Sequence, residues 1–101
     1  MAAGKLIEKI QYNVSSITYI ELLSDANIQK RELIIDFLLG TTIIHTNPAI
    51  CEFATNFRLN YKIKTPDAII AATAKYLGFP LITADAQLFQ IKEIEIIKFS
   101  K

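Results

Sequence analysis

Three carboxylates stand where chemistry is most readily done in this chain: Glu21, Asp67 and Asp85. Each lies beside an expected element boundary. Glu21 follows the β-like run Val14 to Thr18 by about one helical turn. Asp67 opens a helix, and Asp85 directly follows a short strand, Leu81 to Thr83. If folding gathers them on one edge, they repel one another unless protonated or neutralised. A divalent cation neutralises them. Oxygen donors, with one His and one Cys in the whole chain, point to Mg²⁺ or Mn²⁺. Such an ion can bind a phosphate, orient a water and stabilise a leaving oxygen, so the chemistry implied is phosphodiester hydrolysis. Each acid also has an ordinary structural role open to it. Thr18-x-x-Glu21 has the pattern of a capping box, Asp67 complements a helix dipole, and Asp85 can cap the turn Ala86 to Phe89. Spacing alone leaves both readings open.

The element that must position two of them runs from Thr65 to Asp85, TPDAIIAATAKYLGFPLITAD. Thr65 is a natural N-cap, and Pro66 suits the first helical position, where its missing N–H costs nothing. Ala68 to Leu77 is rich in helix formers. Gly78 supplies a left-handed stop, and Pro80 forbids continuation. A helix of about 11 residues rises roughly 17 Å, and about five residues of strand cover a similar distance back. Asp85 is thereby returned to the level of Asp67.

The rest of the chain alternates in the same manner. Ala2 to Tyr12 reads as the tail of an amphipathic helix, with Leu6, Ile7 and Ile10 on one stripe. Tyr19 to Ser24 continues as a helix from the strand before it, and Asp25 to Leu39 has helical spacing ended by Gly40. Thr42 to Thr46 is a short strand, and Asn47-Pro48 starts a helix over Pro48 to Leu59, with Ile50, Phe53, Ala54 and Phe57 on one face. Asn60 to Lys64 is a basic connection. Ile94 to Phe99 is a final strand, placed at an edge by its charges. The order predicts an α/β fold with a mostly parallel sheet, whose sites form at the carboxyl ends of its strands.

Composition narrows the function. The 101 residues make one domain, and 51% hydrophobic content excludes disorder. There is no membrane-length apolar run and no signal-peptide pattern at the start. The single Cys51 fits a reducing cytoplasm and reads as a small core residue; His45 reads as packing or edge decoration. A net charge of +1 advertises no broad basic field, so a polyanion would need local attraction. Arg58, Lys62 and Lys64 could meet a phosphate backbone, or form only a solvated loop. Thr83, Ser15 and Ser16 could hydrogen-bond a metal's water or merely finish their strands.

SSITYIELL, TPDAIIAATAKYLGFPLITADAQLF and IEIIKF resemble the PIN domain, in particular toxin ribonucleases of the VapC kind. The likeness runs from about residue 5 onward, and P-D-A-x-I-A-A-T-A…L-x-T-x-D…F is its most specific part. It implies a three-layer α/β/α fold, residues 1–101 as a single PIN-like domain, Mg²⁺- or Mn²⁺-dependent RNA cleavage, a cognate antitoxin and a homodimer. It carries the metal-binding and catalytic roles onto Glu21, Asp67 and Asp85, and the small polar residue beside the metal onto Thr83.

One departure bears on these expectations. The family opens with a central strand carrying an aspartate, and no Asp precedes Asp25 here. The central first strand is thus expected to be absent. A homodimer, a domain swap or a partner-supplied strand would then cover open strand edges. The alternative to a ribonuclease is a catalytically impaired PIN-like module that binds RNA or protein. A different phosphohydrolase is disfavoured, since no Gly-rich phosphate loop or D-x-D nucleophile motif is present.

Overall fold

The computed structural model describes residues 12–98. The expected helix at Ala2 to Tyr12 therefore lies outside the described residues up to residue 11, as does Phe99 of the final strand. The chain falls into two compact units, Met1–His45 and Thr46–Lys101.

In the first unit, β1 (Asn13–Ser15) leads into α1 (Ser16–Asp25), α2 (Ile28–Leu39) and β2 (Thr42–Ile44). β1 and β2 pair in parallel, with Val14 opposite Ile43. Two boundaries differ from the sequence expectation, both because a polar side chain caps a helix. The Ser15 hydroxyl accepts the Ile17 N–H at 3.2 Å, so the strand ends at Ser15 rather than Thr18. The Asn27 side chain accepts the Lys30 N–H at 2.9 Å, so the second helix starts at Ile28 and Asp25 closes the first. Gly40 ends α2 as expected. Val14 and Leu38 are buried, and the Tyr12 and Phe37 rings meet with centroids 5.8 Å apart. Ile28, Leu33, Phe37 and Leu39 remain exposed on α2.

In the second unit, α3 (Pro48–Asn60) and α4 (Thr65–Leu77) are followed by β3 (Leu81–Thr83), a 3₁₀ turn (Ala86–Gln90) and β4 (Ile96–Lys98). Asn47 caps α3 by accepting the Ile50 N–H at 2.9 Å, with Pro48 in the first turn. The α3 face of Ile50, Ala54 and Phe57 is buried together with Ala68, Ala71, Ala72 and Ala74 of α4. Small residues at these positions let two helices approach closely. Cys51 is exposed, which corrects the core reading: the inward stripe runs through Ile50, Ala54 and Phe57, and its neighbour points elsewhere. Gly78 stops α4 at φ 71°, in the left-handed region that suits glycine. β3 and β4 pair in parallel, Ile82 opposite Ile97. β3 is only half-covered: Leu81 and Thr83 are partly buried, but Ile82, on the alternate face, is 53% exposed.

Among the described residues the architecture is thus α/β, with four helices and short parallel strands. Among the described residues, no helix is long and apolar enough to cross a membrane.

Candidate functional site

Asp67 lies in the first turn of α4, partly buried, where the open N–H groups of a helix favour negative charge. The helix begins one residue earlier than the sequence suggests. Lys64 holds the N-cap position without a side-chain cap, and Thr65 is already helical. The Thr65 hydroxyl accepts a hydrogen bond from Nη1 of Arg58 at 2.8 Å. Nε of Arg58 donates to the Ile63 carbonyl at 3.3 Å.

Asp85 stands just past β3 and is fixed through both its backbone and its side chain. Its N–H donates to Oγ1 of Thr83 at 3.1 Å. Its Oδ1 accepts the Gln87 N–H at 2.9 Å, which caps the 3₁₀ turn. The capping role open to Asp85 is therefore real, and it engages one of the two carboxylate oxygens.

The two aspartates feel each other. The Asp67 carboxyl is raised above its ordinary value, first by burial, then by the charge of Asp85, with Lys64 pulling the other way. The pair is what a divalent cation would relieve, and its donors are oxygen atoms suited to Mg²⁺ or Mn²⁺.

Glu21 lies on α1 in the first unit and is exposed. The capping box suggested by Thr18-x-x-Glu21 does not form, because α1 is capped at Ser15 and Thr18 is already inside the helix. Among the described residues, no three His, Cys, Asp or Glu side chains are drawn together closely enough to hold an ion. Asp67 and Asp85 both lie in the second unit, on α4 and just past β3. Lys62 and Lys64 are exposed, as is His45.

One contact was not legible in the sequence. The Tyr61 hydroxyl donates to Oε1 of Glu93 at 2.6 Å and accepts the Lys92 N–H at 3.3 Å. Glu93 pushes the Tyr61 phenol above its ordinary value by holding that proton. The contact ties the α3–α4 connection to the segment before β4, and no local pattern signals it.

The PIN domain family model matches residues 1–94. Among solved structures, a toxin–antitoxin complex from Klebsiella pneumoniae contains a chain 30% identical to this one. The match covers 96% of this chain and 82% of that one, with a TM-score of 0.74. VapBC-1 from nontypeable Haemophilus influenzae matches at 22% identity and TM-score 0.74, covering 94% of this chain and 82% of its own. VapBC2 from Rickettsia felis, bound to a DNA fragment from its promoter, matches at 19% identity and TM-score 0.77, covering 98% and 83%. The last two speak for the fold alone. No curated protein sequence matches the chain. The family match over nearly the whole length and the α/β fold agree: the chain belongs to the PIN domain family.

Proposed function

We propose that this chain is the toxin of a toxin–antitoxin pair, a single-domain nuclease that hydrolyses RNA phosphodiester bonds with Mg²⁺ or Mn²⁺. The observation that carries the reading is the PIN family match over residues 1–94, with Asp67 and Asp85 held by two different elements of one unit. The cation, when bound, supplies charge neutralisation and Lewis acidity toward a phosphate.

The chain's own residues do the rest. Thr83 anchors the Asp85 backbone and Gln87 anchors Oδ1, so Oδ2 is the oxygen left to face a ligand. Fixing a carboxylate before the ligand arrives lowers the ordering cost of binding. Lys62 and Lys64 are exposed at the approach to Asp67 and can meet the RNA backbone. The antitoxin partner is supported by the likeness to a toxin–antitoxin complex and by the apolar side chains exposed on α2. Homodimerisation and a cytoplasmic location belong to the same reading.

The test is RNA cleavage with Mg²⁺ or Mn²⁺ by the wild-type chain and by Asp67→Asn, with Mn²⁺ binding measured by calorimetry. Loss of cleavage in the variant, and a wild-type Mn²⁺ site of millimolar affinity or better, are expected. Equal cleavage by the variant rejects the assignment of Asp67. Absence of such a site favours a non-catalytic PIN-like module.

A further inference from the structure

We infer that Arg58 is a positioning residue, whose guanidinium holds the start of α4 so that Asp67 is presented at a fixed place. The inference rests on the nuclease reading for its functional consequence, but its structural core stands apart from it.

A helix start has four N–H groups without intrahelical partners, and a side-chain cap ordinarily ties the first turn to the chain before it. α4 lacks such a cap: Lys64 makes no side-chain cap hydrogen bond. The tie comes instead from the last turn of α3. Arg58 reaches Ile63 and Thr65, the residues on either side of Lys64, through Nε at 3.3 Å and Nη1 at 2.8 Å. The guanidinium is planar, so these two donors stand in a fixed relation and set the spacing of the groups they hold. Ile63 is buried, which pins one end of the connection, and Asp67 begins only two residues beyond Thr65. A lysine would keep the charge but not the planar fork. An arginine serving RNA would keep its donors for phosphate; here two are already committed within the chain.

The readouts separate this role from substrate binding and from mere stability. The Ala68 N–H donates to the Lys64 carbonyl at 2.9 Å and is the first hydrogen bond of α4 past the clamp. In Arg58→Lys and in Thr65→Val, hydrogen exchange at Ala68 should accelerate about fivefold, the scale of one lost hydrogen bond. Exchange at Ala74, deep in the helix, should be unchanged. Cleavage of RNA should lose roughly tenfold in kcat with KM unchanged, since small misplacements of a reacting group are costly. Thr65→Ser, which retains the hydroxyl, should behave as wild type, and the Arg58→Lys/Thr65→Val pair should lose no more than Arg58→Lys alone. Unchanged exchange at Ala68 in both single variants overturns the clamp, whether or not the chain cleaves RNA. A raised KM with unchanged kcat in Arg58→Lys, and a silent Thr65→Val, would return Arg58 to substrate binding. If the wild-type chain fails to cleave RNA, the nuclease reading falls, while exchange at Ala68 still decides the clamp.

Discussion

Asp85 does two separable things, and two substitutions pull them apart. Its Oδ1 caps the 3₁₀ turn through the Gln87 N–H, and its charge acts on Asp67. Asp85→Asn keeps an oxygen in the capping position and removes the charge. Asp85→Ala removes both. Losing such a cap costs about 1 kcal/mol. For a domain of this size that lowers Tm by roughly 4–8 °C. The cost has a visible origin: the capped turn holds Leu88, which is 2% exposed, so fraying there uncovers apolar surface. Asn is among the best capping residues, so Asp85→Asn should stay within about 0.5 kcal/mol of wild type in urea melts. Removing a like charge beside Asp67 works in the same, stabilising direction. Function should follow the charge instead. Both variants should lose Mn²⁺ affinity in calorimetry by at least about tenfold, the loss seen even for outer partners of a metal site, and RNA cleavage should fall equally in both. If Asp85→Asn binds Mn²⁺ and cleaves like wild type, while Asp85→Ala fails only as far as it unfolds, Asp85 is a cap and nothing more.

Asp67 predicts a pH dependence. Because burial and Asp85 raise its carboxyl, its ionised form costs folding free energy above the folded value, and that cost disappears as pH falls below the unfolded value. In the metal-free protein this group therefore favours the fold on mild acidification. Protons and cation compete for the same oxygens, so Mn²⁺ affinity should begin to fall at a higher pH than an ordinary carboxylate would give. A calorimetric affinity that stays flat down to the ordinary carboxylate range contradicts this. Gly78→Ala should cost about 1 kcal/mol in urea melts, from the left-handed backbone alone, since nothing lies within 4 Å of the added carbon. Ile50→Ala should cost roughly 2–5 kcal/mol, because Ile50 is 0% exposed in the α3–α4 core. Ile82→Ala, at 53% exposure, should cost under about 1 kcal/mol in the same melts.

Much of this fold was legible locally. Asn47-Pro48 and Gly78 mark where α3 begins and α4 ends, and the Ile50, Ala54, Phe57 spacing names the buried stripe. Such signals depend on neighbours within about one helical turn, and the sequence carries that information directly. The placement of Asp67 at a helix start and Asp85 at a strand exit was also within reach, because local boundary signals set both. The remainder was decided by contacts between residues that no period relates. Arg58 meets the Thr65 hydroxyl across the α3–α4 connection. Tyr61 meets Glu93 far along the chain, and Cys51 turns outward beside a buried Ile50. Sequence by itself determined which segments become helix or strand and where the acids fall along them. Tertiary structure decided which polar groups are already spoken for, because a hydrogen bond can be claimed only by a partner that folding brings within about 3 Å.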